Sequence, residues 1–368
     1  MRRALRYAGD LVARVIAPLD LPLLAGLLMI MCVGLVVLSS AAADAPVMVR
    51  NQAIRFCMGL GAMLVLAHIT PARMRLWTPY IFALTLGLLL LVPLMGTGRS
   101  GAHWLNLGFF YLQPSELMKI SVPMMVAWVL HRAPLPPGWT GLGACMVVVG
   151  VPVALTAMQP DLGTALLIAA PGVCAVFLAG LAWWRIGLLG LAGLATLPAL
   201  WFSLREYQRN RLLTFMDPEA DPLGTGWNIA QSKIALGSGG LGGKGWGQGS
   251  QSHLDFLPEH TTDFIFAVLG EEFGFVGVGL TLLLYLLVLG RALWLASEAR
   301  DSFARLLAGS LSLSFFVYIF VNGGMISGLL PVVGVPMPLL SYGGTSAVSL
   351  LAGFGVIMSA HAHRRFLR

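Results

Sequence analysis

The sequence predicts an all-α, polytopic integral membrane protein with about ten transmembrane helices and one long extracytoplasmic loop. Three observations carry that expectation. Of 368 residues, 57% are hydrophobic and 11% charged, and the mean hydropathy is +0.82, so the polar surface of a soluble domain this size is missing. The apolar residues form continuous runs of about 20, the length that crosses roughly 30 Å of hydrocarbon as a helix. Strands of a membrane barrel would alternate at period two instead. The net charge of +7 is distributed as a membrane topology requires.

Ten spans are expected within a single domain over 1–368, near 20–42, 51–70, 78–96, 114–131, 139–157, 162–180, 184–202, 264–290, 304–328 and 341–361. Arg2, Arg3 and Arg6 before the first run have the outline of a signal peptide, but the apolar core from Leu19 to Ala43 is too long and reads as a retained span. With a cytoplasmic N-terminus, Arg14, Arg73, Arg75, Arg132, Arg185, Arg291, Arg300, Arg305, Arg364, Arg365 and Arg368 also fall inside, and the short outer loops keep little beyond Arg50 and Arg99. The basic balance is then the positive-inside signal, and no nucleic-acid partner is implied. Both termini are expected in the cytoplasm, and residues 203–263 outside. Pro123, Pro152 and Pro171 mark kinks, which a membrane bundle tolerates. Cys32, Cys57, Cys145 and Cys174 lie in apolar runs without metal-ligand spacing and read as small core residues.

Within the large loop, GSGGLG at 237–242 matches a dinucleotide fingerprint in letters only. A helix candidate precedes it and a second Gly-rich run follows, where a strand and a helix are needed; a P-loop fails at Ser238 and Gly245. A turn whose backbone lies close to a headgroup or another loop is the better reading. The preceding WNIAQSKIAL puts Trp227, Ala230, Ile234 and Gln231 on one side, which suits a helix lying in the membrane interface or a plain surface helix.

The loop ends in TTDFIFAVLGEE. Thr261, Thr262 and Asp263 are N-cap residue types for a helix beginning at Phe264. At about 100° per residue, Asp263 also shares a face with Ala267, Gly270, Gly274, Gly277 and Thr281, a small-residue packing stripe. Asp263 should therefore point into the bundle near the outer surface, where an ionisable group is a functional candidate. Glu271 and Glu272 lie deeper, at roughly 2.5–3.5 kcal/mol each on insertion scales, and call for a polar network. In the fourth span Glu116 and Lys119 are one turn apart and can pair, either structurally or to present Lys119 to an anionic headgroup. Asp161 suits a helix cap. Arg209 and Arg211 suit snorkelling anchors or phosphate ligands.

Longer stretches carry a family likeness: AHWLNLGFFYLQPSELMKI at 103–120, QPDLGTA at 159–165, GWNIAQSKIALGSGGLGGKGW at 226–246, FLPEHTTDFIFAVLGEEFG at 256–274 and GLLPVVGVPMPLLSYGGTS at 328–346. In this order, across most of the chain, they make it resemble the SEDS family (shape, elongation, division and sporulation). Val333 before Gly334, where the division branch usually has Lys, resembles the branch that serves cell elongation and rod shape. The family often has His directly before the Thr-Asp pair; here His260 is one position further away, and the Asp is retained.

The resemblance implies a peptidoglycan glycosyltransferase that polymerises lipid II outside the inner membrane. It places the essential acid at Asp263, as general base for the acceptor 4-hydroxyl. Lys119, Arg211, Arg209 or a divalent cation (magnesium or manganese) would offset the departing undecaprenyl pyrophosphate. Asp255 and Glu259 could orient the base or hold a metal, and Trp104 could stack on a sugar or anchor at the interface. A class B penicillin-binding protein, the transpeptidase, is the implied partner within the elongation machinery. A lipid II flippase and a non-enzymatic scaffold are the rival classes.

Overall fold

The computed structural model describes residues 16–97, 103–106, 108, 111–159, 161–203, 206–216, 225–254 and 256–363. Every expected span coincides with a helix: α1 (Leu21–Ala41), α2 (Pro46–His68), α3 (Pro71–Met95), α4 (Pro114–His131), α5 (Trp139–Met158), α6 (Leu162–Leu178) and α7 (Trp183–Ser203) come first. The large loop contributes α8 (Glu206–Met216), α9 (Thr225–Ser238) and α10 (Ser250–His253), followed by α11 (Ile265–Ser297), α12 (Ser302–Ile326) and α13 (Thr345–Ala362). Among the described residues, six of these helices are long and apolar enough to cross a membrane on length and composition: α1, α3, α5, α11, α12 and α13. An antiparallel pair, β1 (Leu105–Asn106) with β2 (Tyr111–Leu112), was not expected from the sequence.

Local chemistry starts the helices where the sequence changes character. The Asp20 carboxylate accepts from Leu23 N, Thr70 caps α3, and the Asp161 carboxylate accepts from Thr164 N at 2.9 Å; each satisfies a first-turn N–H that has no partner inside the helix. Proline follows at the first turn of α1, α2, α3 and α4, where its missing N–H costs nothing.

The buried core lies among α1, α2, α4, α6, α11, α12 and α13, with α2 packed along α13 and α12 touching α4, α6, α11 and α13. One end of the bundle is tied by ion pairs. Arg291 grips Asp20 through two bonds of 3.0 and 2.6 Å, and Arg75 reaches His131 at 2.9 Å and Asp301 at 3.5 Å. Helix α7 is different: none of its described residues is buried.

The large loop returns into the bundle. Helix α11 breaks at Gly274, whose φ of 64° and ψ of −164° are not helical, and the Gly-rich turn fits into the break. Lys244 N and Gly245 N donate to the carbonyls of Glu271 and Glu272 at 3.0 and 2.9 Å, while Phe275 N and Val276 N donate to Gly240 and Leu241 at 2.9 and 3.1 Å. A side chain at Gly239 or Gly243 would overlap the α11 backbone. The backbone groups that the break frees are thus satisfied by the loop. The small-residue stripe at Gly270 and Gly274 receives this loop and not a neighbouring span.

Helix α9 buries Ile229, Ser232 and Ala235, with Gln231 also enclosed; Ala230 and Ile234 face outward. The side expected to be apolar is therefore split between bundle and surroundings. Trp227 is half-buried and donates its indole N–H to Phe256 O at 2.7 Å.

Candidate active site

The turn before α11 carries the acid. Asp263 is not the cap of α11: that position is Phe264, with no side-chain cap, and Asp263 sits one residue earlier in a turn. The helical-phase reasoning thus extends a helix that begins later and breaks at Gly274, although it places Asp263 correctly toward neighbouring elements. The turn is closed by Glu259, whose φ of 55° is left-handed. Its carbonyl accepts from Thr262 N at 3.0 Å and Phe264 N at 3.3 Å.

Helix α12, the loop that follows it and Arg211 of α8 converge on that turn. Asn322, fully buried in α12, donates through Nδ2 to Asp263 O at 2.8 Å and Val335 O at 2.6 Å. Tyr342 N donates to Thr261 O at 2.9 Å. Gly334 has a φ of 72°, and a Cβ there would stand 3.4 Å from Asp263 Oδ2, so the absence of a side chain leaves room above the carboxylate. Arg211 Nη1 reaches Val332 O at 3.5 Å in the same loop.

The electrostatics follow from these neighbours. Asp263 is pushed up to about 7, first by burial, then by the charge of Glu259 and the hydrogen bond the two carboxyls share; Arg211 opposes the rise. Burial and a neighbouring negative charge both favour the neutral form of Asp263. Such an acid accepts a proton near neutral pH, where an ordinary exposed Asp would be a far weaker base.

The remaining expected residues divide. Trp104 is half-buried, pairs through its backbone with Thr97, and brings its ring tip 3.5 Å from where a Cβ of Gly344 would stand. Glu116 and Lys119 form a buried pair at 2.6 Å; Glu116 also accepts from Ser349 Oγ at 2.7 Å, and the ammonium lies 5.4 Å from the Tyr318 ring centre. Lys119 and Tyr318 line one small cavity, and Tyr318 also lines a second one with Pro336, Met337 and Ser341. Tyr318 thus connects the pair to the 336–341 segment that follows Val335. Arg209 turns back onto α7, donating to Trp201 O at 2.9 Å and Phe202 O at 2.7 Å. Asp255 lies outside the described residues. The ring nitrogens of His260 lie 2.9 Å from Leu257 O and 3.0 Å from Ala41 O, a bridge between loop and α1.

Sequence reasoning missed Asn322 and Arg55. The Arg55 guanidinium stacks 4.5 Å from the Tyr342 ring centre and reaches Gly343 O at 3.5 Å. Asn322 is a polar residue in an otherwise apolar run, and that was the available signal; Arg55, close behind Arg50, Asn51 and Gln52, offered none. Among the described residues, no group of three or more His, Cys, Asp or Glu side chains comes together to hold a metal ion.

The FtsW, RodA and SpoVE family model, described as "Cell cycle protein", matches residues 13–366. The peptidoglycan glycosyltransferase MrdB of Escherichia coli K12 is 49% identical over 336 residues, covering 91% of this chain and 90% of that one. The crystal structure of the Thermus thermophilus rod shape determining protein RodA superposes with a TM-score of 0.71 at 29% identity, covering 94% of this chain and 97% of that one. A structure described as "Structural coordination of polymerization and crosslinking by a peptidoglycan synthase complex" gives 0.81 at 31%, with 94% and 98% covered. The chain is a multi-pass membrane protein and belongs to the SEDS family, the cell cycle proteins of the FtsW, RodA and SpoVE type.

Proposed function

We propose that this protein is a peptidoglycan glycosyltransferase that polymerises lipid II into β-1,4 glycan strands for cell elongation and rod shape, releasing undecaprenyl pyrophosphate. One observation carries the reading: Asp263, half-buried where its turn meets α12 and the loop after it, holds its proton up to about 7 beside Arg211. The relationship to the E. coli glycosyltransferase, at 49% identity, supports the same activity.

In this mechanism Asp263 takes the proton of the acceptor 4-hydroxyl as its oxygen attacks the donor anomeric carbon. The bond from that carbon to the pyrophosphate oxygen breaks, and a single in-line displacement inverts an α-linked donor to a β product. Glu259 holds the base in place. Arg211 is the cation best placed to face the leaving pyrophosphate; Lys119 acts from behind the 336–341 segment, and Arg209, occupied by two carbonyls, takes a lesser part. Trp104 offers a sugar-stacking face. Asp255 and Glu259 would hold a divalent cation, magnesium or manganese, which would supply positive charge for the leaving pyrophosphate.

All ten apolar helices are proposed to cross the inner membrane, with both termini and the Arg75 and Arg291 end in the cytoplasm and Asp263 facing the periplasm. A class B penicillin-binding protein is the proposed partner, in line with the synthase complex among the structural relatives.

The deciding experiment incubates the purified protein with fluorescent lipid II in detergent, alone and with the transpeptidase. Long glycan chains are expected, and Asp263→Asn should make none while remaining folded. Movement of labelled lipid II across liposomes without polymer would replace this reading with a flippase. Neither product would leave a scaffold.

A further inference from the structure

Helix α7 meets the rest of the bundle at its N-terminal end, where Arg185 lies 5.3 Å from the ring centres of both Trp139 on α5 and Trp184. The two indoles are themselves edge-to-face at 5.7 Å. Arg185 Nη1 donates to Pro137 O at 2.5 Å in the α4–α5 loop, and Nε is enclosed without a hydrogen-bond partner. No carboxylate neutralises this arginine among the described residues, although Arg75 and Arg291 at the same end both have one. Nη2 likewise has no protein partner among the described residues and is not enclosed.

The surroundings are those of a lipid. Trp183 is 80% exposed and Trp184 60%. Leu188, Leu191 and Leu194 continue the exposed apolar flank of α7 along the next turns. In a bilayer that flank must be covered by acyl chains, and a chain lying there brings its headgroup to the foot of the helix. Arg132, stacked 3.4 Å from the Trp128 ring centre, opens the same loop and adds a second cation with no carboxylate partner among the described residues.

We infer that the foot of α7 is a binding site for an anionic phospholipid, its phosphate held by Arg185 between Trp139 and Trp184 and its acyl chains laid along α7. The guanidinium fork suits phosphate oxygens, and the flanking rings hold it in place by cation–π attraction. An uncovered arginine near an anionic membrane surface contributes by the same charge. The site lies away from Asp263 and does not depend on the glycosyltransferase reading.

The test is titration of the full-length protein with phosphatidylglycerol or phosphatidylcholine, read by native mass spectrometry from detergent. Phosphatidylglycerol should be retained in preference, and Arg185→Gln should weaken that retention about fivefold while leaving phosphatidylcholine unchanged. Arg185→Lys, which keeps the charge but loses the fork, should fall between; it also serves if the Gln variant does not fold. Equal retention of both lipids, or of phosphatidylglycerol by wild type and Arg185 variants, would reduce the cluster to an ordinary aromatic belt and overturn the site. So would displacement by inorganic phosphate alone at matching concentration, which would make the ligand a free ion.

Discussion

Asn322 ties the base-bearing turn to the loop that covers it: one side-chain amide spans the carbonyls of Asp263 and Val335, at 2.8 and 2.6 Å. A carboxamide can donate twice from one nitrogen, which neither Asp nor Leu can do. Asn322→Leu should leave two enclosed carbonyls unsatisfied and let the Asp263 turn drift. Displacement of a reacting group by about 1 Å can cost on the order of 100-fold, so kcat for lipid II polymerisation should fall by about ten- to a hundredfold with KM changed less. A wild-type kcat in a folded Asn322→Leu protein would remove Asn322 from the positioning of the base.

The pH profile should carry the signature of Asp263. Its proton affinity is raised to about 7, so the basic form, and with it kcat/KM, should climb through neutrality and level off above pH 8 or so. Stability runs the opposite way. The folded protein binds this proton more tightly than the unfolded chain, whose Asp releases it near pH 3.8, so this group's stabilisation is full at low pH and declines as pH rises toward about 7. Glu259→Gln removes the neighbouring negative charge and should move the activity midpoint down. Arg211→Gln removes the opposing cation and should move it up. Midpoints that fail to separate in these directions would count against Asp263 as the titrating base.

How much of this was legible in sequence depends on range. Continuous apolar runs located the helices closely, because hydrophobic length and charge asymmetry are local and additive. Asp263 stands out in the sequence because an acid at the start of an apolar helix is conspicuous. That it does not cap the helix, and its true helical phase, were not legible, because Glu259 turns the chain through a left-handed residue and the helix begins one position later than expected. Gly274 looked like part of a packing stripe; that it breaks the helix depends on the Gly240–Gly245 turn, about 30 residues earlier in sequence. Arg209 and Arg211 are indistinguishable by composition, yet one turns onto α7 and the other onto Val332. Asn322 was overlooked because its partners come from two other segments.

The break at Gly274 is itself testable. A Cβ there would overlap Gly243 N and stand 2.7 Å from Leu241 O, and a φ of 64° with ψ of −164° is close to a conformation that only glycine adopts readily. Gly274→Ala should therefore lower the melting temperature in detergent and expose the 237–247 turn to protease. Gly279→Ala, with nothing within 4 Å of the added Cβ, should leave both unchanged. Equal behaviour of the two variants would mean that the turn is not seated in the break.

The Lys244–Glu271 pair should respond asymmetrically to mutation. Glu271 is fully buried and accepts from Lys244 Nζ and Ser250 Oγ at 2.5 and 3.0 Å and from Gln251 N at 3.2 Å, whereas the lysine side chain is 30% exposed. Lys244→Met strands a carboxylate in the interior, a loss of about 3–5 kcal/mol for a buried pair broken on one side. Glu271→Gln keeps acceptor and donor capacity for Ser250 and Gln251 and lets Lys244 swing toward water, so it should cost less, about 1–2 kcal/mol. Adding Glu271→Gln to the Lys244→Met background should then recover part of the loss, since the stranded charge is gone. Thermal melts of the three variants, with proteolysis at 237–253 as the local readout, decide it; equal losses in the two single variants with no recovery in the double would show that the pair is not what anchors the loop to α11.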